Sequence, residues 1–172
     1  MKTNVLDFIE FAVSHAAKTY FDGNIIGRSG LDPWQYLWGT YGQKVTPSRL
    51  ETAWKHYKAN GWSREDYDEI TQPWLDTPTI VTDCNGLLDA YVHEDKNANY
   101  TYQHCTQRGL IAAINRPFIV GEAVFNGSAT KKTHVGWVCG FKTDGTPLVV
   151  EARGIRYGVV ITSMATRTWK YR

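Results

Sequence analysis

Residues 81–94 read VTDCNGLLDAYVHE. The cysteine at 84 is followed at once by helical spacing: Leu87, Leu88, Tyr91 and Val92 share one face of a helix expected from about 84 to 93. Asp83 takes the N-cap position. Cys84 then stands at N1 or N2, where unpaired N–H groups and aligned peptide dipoles favour a thiolate. The neighbouring Asp83 carboxylate acts in the opposite direction, because it disfavours a second negative charge. A reactive sulfur at this position therefore needs a histidine close by. Without one, Cys84 is a small core residue and Asp83 only a cap.

Three helices are expected before this stretch or just upstream of it. Val5, Phe8, Ile9, Ala12, Val13 and Ala16 recur at three and four behind Asn4 as N-cap. Gly23, Gly27 and Gly30 mark a loop, and 33–45 is aromatic and glycine-rich without helical period. Thr46 caps a second helix with Pro47 at N1, a stripe of Leu50, Trp54 and Tyr57, and Gly61 at its end. Ser63, with Asp66 in the capping-box position, starts a third. The polar, Asn-rich segment 94–104 reads as a loop.

From about 119 the period becomes two. Residues 121–125, 134–141, 146–152 and 157–164 read as strands, with Asp144-Gly145 as a turn between the second and third. Helices first and an antiparallel sheet second give an α+β fold, with the Cys84 helix packed on the C-terminal sheet. The 172 residues fit one domain, an N-terminal helix and loop over 1–30 and a core over about 31–163.

Composition excludes several classes. A net charge of +2 implies no strong field for nucleic acid, and the basic runs Lys131-Lys132 and Arg167 to Arg172 read as solvated ends. Three cysteines (84, 105, 139) with no CxxC pair suggest neither a disulfide scaffold nor structural zinc. Cys84, His93, His104, Cys105 and His134 match no zinc spacing. Asp95, Asn97 and Asn99 begin like a calcium loop, but Tyr100 and Thr106 stand where glycine and glutamate are required. No metal or cofactor is expected. Asp7 and Glu10 interrupt any signal-peptide core, and no apolar run is long enough to cross a membrane. The protein is expected to be made in the cytoplasm and to need separate release.

Among five histidines, His134 stands out. His15 and His56 lie on helices, His56 on the polar side. His93 is turned away from Cys84 and is expected to pair with Asp89 at the surface. His104 lies in the polar segment. His134 opens a strand whose Val135, Trp137, Cys139 and Phe141 face the core, while Gly136 and Gly140 beside it leave room for a substrate backbone. Cys139 and Cys105 read as structural. Glu151 is the candidate to orient His134, and a one-residue slip in register would put it on the other face.

The motifs YLWGTYGQ (36–43), TDCNGLLDAY (82–91), VGEAVFNG (120–127), HVGWVCGF (134–141) and VVEARGIRYGVV (149–160) occur in that order. Together they resemble the NlpC/p60 cell-wall cysteine peptidases, permuted papain-like hydrolases, and most of all the single-domain type of phages and prophages. The resemblance covers roughly residues 30–163. It implies a papain-like fold with Cys84 as nucleophile, His134 as general base, Glu151 as the group orienting the imidazole, and Tyr36 holding the oxyanion with the Cys84 N–H. It puts Asp83 on the substrate's amino group, with Asn85 and Trp38 beside it as substrate-binding residues. The implied partner is a peptidoglycan stem peptide, cut at a γ-D-glutamyl bond to a diamino acid. Asn85 stands where the family usually has serine, Glu122-Ala123 where it has Gly-Asp, and the 141–146 loop is long. Two alternatives are an amidase with the same three residues and a non-catalytic wall-binding module of a virion.

Overall fold

The computed structural model describes residues 4–21, 24–25 and 33–172. Helix α1 spans Val5–Ser14, with the Asn4 side chain accepting the Leu6 N–H, and it buries Phe8, Ile9 and Ala12. Strands β1 (Lys18–Phe21) and β2 (Asn24–Ile25) follow. The loop expected at Gly23, Gly27 and Gly30 lies outside the described residues. The aromatic-glycine segment forms two short strands, β3 (Gln35–Tyr36) and β4 (Tyr41–Lys44).

Helix α2 (Pro47–Ala59) has Thr46 as its cap and Pro47 in its first turn, and it buries Leu50, Ala53 and Tyr57. Helix α3 (Arg64–Thr71) starts at Ser63, whose hydroxyl accepts the Asp66 N–H at 3.1 Å and donates to the Asp66 carboxylate. Strand β5 (Ile80–Thr82) then runs into α4 (Gly86–Val92). The segment expected as a loop at 94–104 contains a helix, α5 (Ala98–His104). Asn97 caps it by accepting the Tyr100 N–H at 3.0 Å. Strands β6 (Ala123–Gly127), β7 (Lys132–Phe141), β8 (Pro147–Gly154) and β9 (Gly158–Ser163) follow.

The α+β expectation holds, with more sheet than the sequence pattern indicates. The large sheet has the order β2-β1-β9-β8-β7-β6. Its last four strands are antiparallel neighbours, while β1 adds in parallel to β9, Lys18 opposite Val160. A small sheet has the order β3-β5-β4, so the 36–43 motif lies directly beside the strand that leads to Cys84.

Both faces of the large sheet are covered. On one, Phe8, Ile9 and Ala12 of α1 and Leu87 of α4 pack on Val135, Trp137, Val150, Ala152 and Val159. On the other, Val124, Val138 and Val149 pack against Trp169. This second layer overturns two expectations. The basic tail is not a solvated end: it folds back on β6, where Phe125 and Tyr171 exchange backbone hydrogen bonds of 2.9 and 3.1 Å, and it carries Trp169 beneath the sheet. Nor does Gly136 leave room for substrate. A Cβ there would lie 2.7 Å from Val149 Cγ1 and 3.0 Å from Trp169 Cη2, so the space belongs to the second core. Phe141, expected in the core, is 43% exposed, after a bulge between Val138 and Gly140 changes the pleat.

Lys132 is also buried rather than solvated. Its ammonium donates to the carbonyls of Ser128 and Ala129 and sits 3.8 Å from the Tyr171 ring centroid, which fixes the turn between β6 and β7.

Gly86 has a tight fit of its own. A Cβ at 86 would come within 2.0 Å of the Thr40 carbonyl oxygen and 2.8 Å of Thr82 Oγ1. Only backbone and a short side chain are there to give way. Gly86→Ala is therefore expected to destabilise the fold by about 3 kcal/mol or more, read as a lower urea midpoint at unchanged slope.

Candidate active site

The sequence put Cys84 in the first turn of its helix, with Asp83 as the cap. The structure moves the start of regular helix to Gly86, so Cys84 and Asn85 form a turn in front of it. Asp83 still does the capping chemistry. Its Oδ1 accepts the N–H groups of Asn85 (3.0 Å) and Gly86 (2.8 Å), and its Oδ2 accepts that of Gly39 (3.1 Å). The Asp83 N–H donates to the Thr40 carbonyl at 2.7 Å, so Asp83 ties the aromatic-glycine loop to the cysteine turn at two points, Gly39 and Thr40.

Cys84 is 9% exposed, and its sulfur sits against the backbone of β7 on either side of His134. Its thiol faces the Thr133 carbonyl at 3.9 Å, and the Val135 N–H donates to the sulfur. His134 itself donates through Nε2 to Glu151 Oε2 at 2.7 Å, and its ring stacks on Trp169 at 5.4 Å between centroids. Register explains this pairing. Trp137 lies opposite Val150, so Glu151 falls on the same face as Gly136 and His134. Glu151 is fully buried rather than a surface residue. With Nε2 engaged by the carboxylate, Nδ1 is the ring nitrogen left for another partner.

Two residues at Glu151 were not singled out from the sequence. Thr162 donates its hydroxyl to Oε1 at 2.9 Å, and Arg167 forks onto both oxygens, Nε to Oε1 and a terminal nitrogen to Oε2, each at 2.9 Å. Thr162 faces inward on β9 opposite Val149, a position that alternation could have indicated. Arg167 lies outside any strand, in a stretch that looks like a polar tail, and carries no local signal.

Of the expected substrate-side residues, Tyr36, Trp38, Asp83 and Cys84 line one cleft of about 850 Å³, whose far wall is the turn at 130–133. Trp38 is 46% exposed and lies flat on His56, with centroids 4.1 Å apart and planes at 1°. His56 was expected on the polar face of α2 with no part in a site. Instead it joins this aromatic wall, and burial lowers its pKa below the ordinary 6.5. Asn85 also lines the cleft, with its side chain turned inward. Its side chain is 1% exposed, its amide donates to both oxygens of Asp89 at 3.0 Å, and its oxygen accepts from Thr101 at 2.6 Å. That internal network makes the Asn85 side chain a brace between α4 and α5 at the floor of the same cleft. It also takes Asp89 away from His93, which ends the helix in the left-handed conformation with φ 58°.

The electrostatics differ from those of a helix-tip thiolate. Burial, then the charge of Asp83, pushes the Cys84 thiol up to about 12, against the pull of backbone N–H groups. The resting sulfur is a neutral thiol at pH 7. Burial also raises Tyr36 well above its ordinary value, with Cys84 and Asp83 adding to it, so its hydroxyl stays a donor. Burial lifts Asp83 itself to about 6, despite the three N–H groups it accepts. Replacing it tests that coupling. Asp83→Asn removes the charge beside the sulfur, so the midpoint of Cys84 alkylation by iodoacetamide is expected to move to lower pH. A midpoint that stays in place would show that burial alone holds the proton.

Cys84, Cys105 and Cys139 are all free thiols, the last two donating to the carbonyls of Thr101 and Leu148. Among the described residues no group of three His, Cys, Asp or Glu side chains could hold a metal ion, and no helix is long and apolar enough to cross a membrane. Compared with known protein families, with curated proteins and with solved structures, the chain matches none.

Proposed function

We propose that the protein is a cysteine hydrolase that cuts an amide bond in peptidoglycan stem peptides, with Cys84, His134 and Glu151 as its catalytic group. The observation that carries the chemistry is the 2.7 Å bond from His134 to a buried carboxylate, on the strand segment that the Cys84 sulfur touches from both sides. The substrate class comes from the ordered motifs that resemble NlpC/p60 peptidases, and a peptide-sized cleft with an aromatic wall suits it.

The thiol proton passes to His134 Nδ1 as the sulfur attacks the carbonyl carbon, because no thiolate is preformed. The Tyr36 hydroxyl and the Cys84 N–H take the oxyanion, each such donor being worth about 3 kcal/mol. His134 returns the proton to the leaving nitrogen as the C–N bond breaks. Water, deprotonated by His134, then releases the acyl group and restores the thiol. Asp83, on the cleft wall, takes the amino group of a free stem peptide.

Digestion of purified peptidoglycans of several chemotypes, with product masses, tests the reading. New amino termini on the diamino acid support the γ-D-glutamyl cut, and release of intact stem peptides makes the protein an amidase. The raised thiol favours a second reading, a wall-binding module without turnover. That module binds the same peptidoglycan and liberates nothing.

A further inference from the structure

Glu151, the carboxylate that holds the His134 ring, is fully buried, yet its carboxyl is held below its ordinary value. Burial alone would push its carboxyl up. The His134 ring and the Arg167 guanidinium together hold it below its ordinary 4.5. An ionised carboxylate 2.7 Å from an imidazole, with nothing else attached, stabilises the imidazolium strongly at the low dielectric of a core. A ring held as imidazolium cannot accept a thiol proton.

We propose that Arg167 is a positioning residue of this site: by holding both oxygens of Glu151 it offsets the charge of the carboxylate and leaves it to His134 as an oriented acceptor, so that loss of this fork would favour a proton on the ring at the expense of taking one from Cys84. The inference rests on the hydrolase reading for its purpose, but not for its electrostatics. The geometry is that of a fork-to-fork ion pair, with two bonds of 2.9 Å and Thr162 filling a further acceptor site on Oε1. The pair as a whole is neutral. It presents to the ring a hydrogen-bond acceptor, as a side-chain amide would, without presenting a net charge.

Other charged groups near the site have partners of their own. On β8, Arg153 lies over the Tyr157 ring at 4.1 Å. On β7, the Lys132 ammonium is tied to the carbonyls of Ser128 and Ala129. From the cysteine turn, Asp83 is engaged by three backbone N–H groups, and Cys84 is neutral. On β9 the neighbour is the uncharged Thr162, and beneath the ring lies Trp169. Arg167 is the cation that contacts both oxygens of Glu151.

The test needs no substrate. On a Cys84→Ala background, the titration of the His134 ring is followed by NMR in the parent, R167M, R167K and the E151Q/R167M pair. R167M leaves a bare carboxylate, so the ring is expected to titrate about one pH unit or more higher. E151Q/R167M removes that charge too and brings the titration back down, and R167K keeps it near the parent. Arg167→Gln, which retains a donor without the charge, gives the same reading if R167M does not fold. A folded R167M or R167Q with the parent's titration overturns the proposal, as does a double variant no lower than the single. In the protein with Cys84 intact, the acid limb of kcat moves up with the ring in R167M while KM holds. Wild-type protein that releases nothing from cell wall removes the hydrolase reading and leaves the titration result standing.

Discussion

Cys84→Ala is expected to release no soluble fragments from peptidoglycan while folding as the parent does. The loss in rate is at least about 10³-fold, since an acyl-transfer site without its nucleophile keeps only what binding and oxyanion donors supply. The fold has little reason to notice. The sulfur draws only on the backbone N–H groups of Val135, Asn85 and Cys84 itself, and the turn around it is held by Asp83 and Asn85, which stay in place. A stability change of about 1 kcal/mol is the scale for such a truncation. Mass spectrometry of digested wall reads the first quantity and urea denaturation the second. Unchanged product release from the alanine variant would remove Cys84 from the chemistry. The sulfur's own proton gives a companion reading: alkylation of the parent that rises only near pH 12 belongs to a passive buried thiol, whereas a rise near neutrality shows imidazole taking the proton.

Glu151→Ala is the substitution expected to damage both fold and activity. The carboxylate is fully buried and joined to His134, Thr162 and, twice, to Arg167. Its removal strands a guanidinium whose side chain is only 23% exposed. Breaking a buried pair from one side costs about 3–5 kcal/mol, and partial access of Arg167 to water favours the lower end. Activity falls by about 100-fold or more with the loss of ring orientation. Glu151→Gln keeps the shape and loses less of each. The pH dependence has a definite sign. The folded carboxyl lies below its ordinary 4.5, so its stabilisation is complete above that value and is lost as pH falls through the folded one. E151Q is expected to lack that part of the acid transition. Asp83 acts oppositely: with a folded value near 6 against an ordinary 3.8, its charge costs stability above pH 6, and the cost disappears as pH falls toward 3.8.

Local chemistry made much of this architecture legible. Caps at Asn4, Thr46 and Ser63 start three helices where the sequence put them, and period-two runs from 121 onward give the four antiparallel strands. Cys84, His134 and Glu151 were identifiable as candidates, and the β7–β8 register brings the last two together. What local pattern could not carry was non-local or short. Strands β3 and β5 have two and three residues, too few for a period. Helix α5 is polar along most of its length, so it resembles a loop until Asn97 is seen as its cap. Arg167, Trp169 and Arg172 look like a solvated tail because their long side chains are charged or amphipathic. Each nevertheless finds a partner within the fold: buried Glu151, and the half-buried His134 ring and Glu122.

The parallel contact of β1 with β9 also bears on how the molecule is made. Every other neighbouring pair in the large sheet joins strands consecutive in the chain, whereas this one joins Lys18 to Val160. Closing so long a loop is slow, so β1 docks late. Until it does, β9 presents a bare edge whose six residues are all buried in the finished protein, an adhesive template for other chains. Concentrated refolding therefore favours clumping at this seam, while the hairpins carrying His134 and Glu151 can pair on their own.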